Sequence, residues 1–394
     1  MASHGTVKAV NGLAARWAAA LPHDGTVFAA AGVWPLLGLL ADGAAGPARQ
    51  ELSDALGVPA ADATTAARDV LSTLGATRGL GAALGLWTRS TLPVEPAWLD
   101  RLPADVHGRL TGDPDSDQSR LDAWASTRTQ GQIEAMPVTV DEETLLVLAG
   151  ALTLRTDWIR PFTPGAMAPE TGPWRDMDLA ALHRTTSLLD RVGVTDTTAG
   201  PLTELRIIGT HGIDVHLYLG PPEATAGQVL TAAVDALHNR RATVPGSRLP
   251  YGAPGSGLSV TRVPSADGEP ALRVSTVPFT VTAHHDLLDD PDVFGLRTAT
   301  DTSRGHFPGI SARPLAVQAA AQTMTATFGA LGFRSAAVTG FGAMAGGIPR
   351  HPFRAREVSV RFDRPFGFLA LHGASRLVLN AGWVTSPDSL EEDF

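Results

Sequence analysis

In the first third of the chain, apolar side chains recur every three or four residues. Val10, Leu13, Ala14 and Trp17 share one helical face. "PARQELSDALG" carries Pro47 where a helix starts and Gly57 where one stops, and "DATTAARDVLSTLG" repeats the arrangement. "LGAALGLWTRS" reads as a buried strand and "PAWLDRL" as a short helix. "SDQSRLDAWASTRTQGQI" sets Leu121, Trp124 and Ala125 on one face and closes at Gly131. "TLLVLAGALTLRTDW" is apolar throughout and bounded by polar residues, the pattern of a strand covered on both faces.

From about residue 200 the period shortens to two. "LTELRIIG", "GIDVHLYLG", "GLSVTRV", "ALRVSTVPFTVTAHH", "EVSVRFDRPFGFLALH" and "ASRLVLNAGWV" read as strands, with one helix, "AGQVLTAAVDALHN", among them. Helices first and mixed strands afterwards predict an α+β fold with more than one sheet. A length of 394 residues allows two or three domains. No linker, charge block or composition shift marks a seam, so a single domain over 1–394 is expected.

Composition narrows the function. The chain is 44% hydrophobic and 18% charged, which is globular. A net charge of −9 argues against a nucleic-acid footprint. Lys8 is the only lysine, and the wealth of Ala, Gly and Arg reads as GC-rich bacterial coding, of an actinobacterial kind. With no cysteine there is no disulfide, thiolate metal site or Cys nucleophile. The N-terminus lacks the pattern of a signal peptide, and the longest apolar run is broken at Pro35. A cytoplasmic protein that engages no membrane is expected.

Several segments together resemble the serpins, the serine protease inhibitor superfamily. They are Thr129 to Ile133 at the end of a helix, Trp158 with Pro161 and Phe162, "FGLRTATDTSRGHFPGIS", and a C-terminal hairpin with Pro365, Phe366, Phe368, Gly382, Val384 and Pro387. The resemblance spans nearly the whole chain. It implies the serpin fold: three β-sheets, eight or nine helices and an exposed reactive loop, here about 333–356. In inhibitory serpins that loop is the protease bait, and after cleavage it inserts into the large sheet as a new strand.

Laid on this family, Gly332 falls on the hinge glycine. The small residue and Glu that follow in inhibitors are replaced by Phe333 and Arg334, before the small run that begins at Ser335. Alternate side chains of an inserting strand enter a closed interior. An overpacked core costs about 1–3 kcal/mol, so Phe333 is expected to obstruct entry. The family's buried Ser, Asn and His network maps to Ala29, Gly32, Gly150 and Gln322, and a guarding glutamate to Ala330, so the polar latch is expected to be lost. Counting from the hinge puts the scissile bond at Gly346–Gly347. Counting back from the following strand puts it at Arg354–Ala355. Arg350 or Arg354 could serve a trypsin-like protease, or be solvated loop arginines.

Standard catalytic signatures are absent: no Gly-x-Ser-x-Gly elbow, phosphate loop, dinucleotide fingerprint or His-Glu-x-x-His. No cofactor and no metal site is implied. His284, His285 and Asp286 end a strand and could do acid–base work or sit solvated. His216 and Tyr218 share a strand face near where the family's hormone carriers hold a small molecule; they line a pocket or are satisfied core residues. The resulting expectation is a serpin-like protein that has lost suicide inhibition and binds a small molecule or performs a cofactor-independent step of specialised metabolism. The alternative is a working serine protease inhibitor with an arginine bait.

Overall fold

The computed structural model describes residues 1–21, 24–136, 138–238, 243–333 and 353–388. The helical opening holds. In α1 (His4–Ala20), Ser3 Oγ accepts the Thr6 amide as an N-cap, and Val10, Leu13, Ala14 and Trp17 are buried. After β1 (Thr26–Phe28), α2 (Ala30–Gly43) is enclosed along almost its whole length, so it shows no apolar stripe, and Pro35 lies within it. α3 (Gly46–Leu56) ends at Gly57, whose φ of 66° is the left-handed conformation that favours glycine. Next come α4 (Ala60–Ala76), β2 (Leu80–Arg89), α5 (Pro96–Leu99), β3 (His107–Leu110), α6 (Pro114–Arg128), β4 (Leu146–Leu154) and β5 (Thr156–Asp157).

Strands begin earlier than residue 200. β6 (Thr163–Met167), β7 (Leu179–Thr186) and β8 (Val192–Thr197) are formed by segments the pattern missed. β6 reads "TPGAM"; its Pro and Gly mask a strand, and it sits where they are tolerated, at a sheet edge. β9 (Gly200–Ile208), β10 (Ile213–Leu219), α7 (Ala226–His238), β11 (Thr243–Pro245), β12 (Gly252–Gly255), β13 (Leu258–Ser265), β14 (Ala271–Thr276) and β15 (Phe279–Asp286) follow. The chain then forms α8 (Pro291–Phe294), β16 (Ala319–Phe328), β17 (Gly332–Phe333), β18 (Phe353–Arg361), β19 (Phe366–His372) and β20 (Val378–Val384).

Three sheets result. The first runs β3-β2-β4-β16, with β15 on the far side of β16 and the short β17 and β5 at its top. The second runs β1-β20-β19-β10-β9-β8-β11 and the third β12-β13-β18-β14-β7-β6. Among the described residues no helix is long and apolar enough to cross a membrane.

Asn11 ties α1 to the last hairpin. It is fully buried; its Nδ2 donates to Arg376 O at 3.0 Å and its Oδ1 accepts Val378 N at 2.9 Å. Asn11→Ala removes both of these bonds and is expected to lower stability by about 1–3 kcal/mol, read by urea unfolding.

Candidate functional site

At the end of β16 the chain turns back on itself. Gly329 N donates to Gly332 O at 2.9 Å, and Phe333 pairs with Phe328 on one side and Thr156 on the other. Gly332 and Phe333 therefore already lie between β16 and β5, which continues the line of β4. Gly332 is needed there, because a Cβ would sit 2.4 Å from Thr156 O. Below this point β4 and β16 pair directly in parallel, from Val147 with Ala319 to Leu152 with Met324.

The expectation that Phe333 blocks entry is corrected. Its ring is fully enclosed, 5.8 Å from Phe368, which packs on Phe279, itself stacked on Phe328. Trp158 and Phe162 grip the turn: Trp158 Nε1 donates to Gly329 O, Trp158 N to Leu331 O and Phe162 N to Ala330 O, all at 2.8–2.9 Å. Where the family has a glutamate, backbone bonds hold Ala330.

Arg334, Ser335, Arg350 and the Gly346–Gly347 bond lie outside the described residues. Arg354 is exposed but belongs to β18, paired with Pro264, and the buried Ala355 is paired with Val263. The Arg354–Ala355 bond thus lies inside a paired strand, which corrects its placement in an exposed loop.

The four latch positions do meet in space, and the latch is redrawn rather than lost. Gln322 is fully buried; its Oε1 accepts Ala29 N at 2.7 Å and its Nε2 donates to Ala29 O at 2.9 Å. A Cβ on Gly32 would meet Gln322 Nε2 at 3.0 Å, and Gly150 is the β4 partner of Gln322. On its other side Gln322 pairs with His285, whose Nε2 lies 3.0 Å from Val27 O and 3.2 Å from Thr26 Oγ1. Burial lowers the His285 pKa, although the Val27 carbonyl works the other way.

His284 points to the opposite face, exposed, and Asp286 accepts the Leu288 amide at 2.9 Å. The three residues are not brought together as one acid–base site.

His216 and Tyr218 do share a face, and both are buried against a carboxylate the sequence reading did not single out. His216 Nδ1 is 2.7 Å and Tyr218 Oη 3.0 Å from Glu204 Oε1. Burial opposes ionisation of Glu204, but the hydrogen bond and charge of His216, the nearby Arg206 and the Tyr218 hydroxyl outweigh it and hold the carboxyl at about 2. Burial pushes His216 down and Tyr218 up. The only hint of Glu204 in the sequence was a carboxylate among the apolar residues of "LTELRIIG".

A larger cleft lies elsewhere, along β2. Leu71 and Leu74 of α4, Ala82 and Leu84 of β2, Val106, and Trp124 of α6 line a space of about 550 Å³. Arg68 and Arg128 stand at it, the latter 3.4 Å from Asp105. No group of three or more metal-ligating side chains occurs among the described residues.

Comparison with known proteins follows the same lines. The family model described as Serpin (serine protease inhibitor) matches residues 8–171. A comparison with curated protein sequences finds no match. Among solved structures, native protease nexin-1 with heparin is 16% identical at TM-score 0.74, covering 98% of this chain and 99% of that one. A serpin from the trematode Schistosoma haematobium is 14% identical at 0.71, over 98% and 100%. Human thyroxine-binding globulin complexed with thyroxine is 16% identical at 0.72, over 98% and 99%.

Two measurements check the geometry. Gln322→Leu strands the N–H of Ala29, while the Ala29 carbonyl keeps the Gly32 amide at 3.0 Å, and is expected to cost about 1–3 kcal/mol in urea unfolding. Glu204→Gln is expected to be destabilising at neutral pH. Because the folded carboxyl titrates at about 2 against an ordinary 4.5, its contribution is complete above pH 4.5 and shrinks as pH falls towards 2. The gap between wild type and variant in denaturation experiments should close over that window.

Proposed function

We propose that this chain, which has the serpin fold and a serpin family match over residues 8–171, does not act as a suicide inhibitor and instead carries a small apolar ligand. The observation that carries the reading is that the described residues flanking the segment 334–352 are tied into ladders: Phe333 between β16 and β5, and Arg354 in β18.

Insertion would have to continue from Phe333. On β16 the core-facing residues are Ala320, Gln322, Met324, Ala326 and Phe328. Extending the Phe333–Phe328 pairing by strand alternation brings Ser335, Ala337, Thr339 and Phe341 to that face, and puts Arg334 on the other. The first three are small. Phe341 would need space beside Ala320 and Leu148, which are paired neighbours in a filled core. Such overpacking costs about 1–3 kcal/mol. If the transition state shares it, about 1.4 kcal/mol slows insertion tenfold.

The ligand half of the reading rests on the cleft beside β2, whose 550 Å³ falls within the range of roughly 300–1,000 Å³ usual for small-molecule sites. Its lining is mostly apolar, with Ser72 and the Arg128–Asp105 pair at it, and among the described residues Arg68 is bonded to a backbone carbonyl, that of Arg101, and to no carboxylate, which favours a ligand with one negative end. Thyroxine-binding globulin, of the same fold, binds a small molecule, thyroxine, by its name. A second reading, inhibition, keeps one observation in its favour: the direct β4–β16 pairing is the closed arrangement into which a cut loop could add a strand.

Trypsin-, chymotrypsin- and elastase-type proteases are expected to nick the segment 334–352 without forming a complex stable to denaturing electrophoresis, and nicking should leave the melting temperature nearly unchanged. A covalent complex, or a large rise in melting temperature after cleavage, refutes the loss of inhibition. Laurate in equilibrium dialysis is expected to bind, and Leu71→Asp to weaken it about tenfold, ~1.4 kcal/mol. Undetectable laurate binding removes the ligand site.

A further inference from the structure

Four arginines from separate segments converge beside the hinge, in a chain of net charge −9. Arg160 follows β5, Arg184 lies on β7, Arg191 closes a short turn before β8 and Arg206 lies on β9. Together they line a cleft of about 60 Å³, room for one charged head group rather than a whole ligand.

Their partners leave the positive charge largely uncompensated. Arg160 Nη1 donates to Thr186 Oγ1 at 2.8 Å, and the Arg184 guanidinium lies 3.7 Å over the Phe162 ring. Nε and Nη2 of Arg184 and Nε of Arg206 are buried without a hydrogen-bond partner among the described residues. Two carboxylates, Glu204 and Asp190, lie near Arg206, whose Nη2 also donates to Asp190 O, so the uncompensated charge rests on Arg160, Arg184 and Arg191. Glu204, 3.9 Å from Arg206, takes His216 and Tyr218; Asp190 accepts the Ser247 amide. Within 4.0 Å of Arg160, Arg184 and Arg191 there is no carboxylate among the described residues. Burial, then Arg160 and Arg191, lower the Arg184 pKa to about 10, so the group stays cationic while the cluster repels itself.

A planar guanidinium engages carboxylate and phosphate alike, but donors converging from several arginines can each find an oxygen on a tetrahedral anion, which offers more of them than a carboxylate does. The rim adds a second feature. Ile159 and Leu188, exposed by 63% and 42%, are among the few large apolar side chains left open to water, and both border this cleft with Ile208.

We propose that the cleft binds the oxyanion of a small phosphate or sulfate ester, its apolar part lying on Ile159 and Leu188. The site is built into the segment that holds the hinge: Trp158 N donates to Leu331 O and Phe162 N to Ala330 O, on either side of Arg160. An anion bridging Arg160 to β7 and β9 ties that segment to the third and second sheets, and so braces the turn before Phe333. The inference stands apart from the apolar cleft beside β2.

Calorimetric titration of the full chain with phenyl phosphate tests it, with inorganic phosphate and phenol as separate arms. Phenyl phosphate is expected to bind at least about tenfold more tightly than inorganic phosphate, and phenol not measurably. Arg184→Met, which keeps an apolar stem over Phe162, and the exposed Arg160→Gln should each weaken binding about tenfold. Amide exchange at Trp158 should slow on binding. No binding, or binding unchanged in both variants, overturns the site. Equal affinity for inorganic phosphate overturns the ester assignment, preference for phosphatidic acid vesicles over phenyl phosphate overturns the soluble ligand, and unchanged exchange at Trp158 overturns the brace.

Discussion

The parallel pairing of β4 with β16 is the constraint on which the rest of the molecule turns. Two long strands lie side by side, and only their top is parted, by Gly332 and Phe333. The parting is anchored. Burying a phenylalanine contributes about 1.5–3 kcal/mol, and Phe333 joins a run of rings through Phe368, Phe279 and Phe328 to Trp158 and Phe162. The residue that looked unfit for a sheet is held there by aromatic contact with the second sheet.

Below the parting, closure is asymmetric. Gln322 on β16 grips the backbone of Ala29, and His285 on β15 grips Val27 and Thr26. β15 and β16 are thereby fixed to β1 and the start of α2. β4 offers Gly150 at the same level and can make no side-chain hydrogen bond there. What holds it is its ladder and its apolar neighbours, with Leu152 Cδ1 only 2.9 Å from where a Gly32 Cβ would be. A side-chain amide that binds one residue through both its N–H and C=O partners behaves like an added peptide unit, so the clamp is fully satisfied in the closed state.

Much of this was legible in the chain. The helical opening, the long buried strand over 146–154 and the C-terminal hairpin were placed correctly, because period, turn residues and motif order are local signals. Interactions between distant segments were not. That Gln322 replaces a network by bonding main chain depends on where residue 29 lies, 293 positions away. Glu204 looked like any strand carboxylate until β9 and β10 came into register. The arginines at 160, 184, 191 and 206 show no spacing that unites them; only the packing of four segments around Phe162 and Thr186 does. Phe333 was read by its size alone, and size does not say whether a cavity waits for it.

The asymmetry of the latch gives the cleft beside β2 a mechanical meaning. If β15 and β16 are fixed, opening requires β4 to move, and β2 is paired with β4 along its whole length, from Leu80 with Leu154 to Thr88 with Leu146. β2 and β4 must then shift together relative to α4. The cleft lies across that boundary, with Leu71 and Leu74 on α4 and Ala82 and Leu84 on β2. An occupant touching both walls gains most when they stay at their present distance, so its binding energy opposes the movement that insertion needs. By linkage, a protein whose sheet stays closed presents that site intact at all times. On the function proposed above, carrying a ligand and refusing the inserting strand would both follow from one stiff boundary.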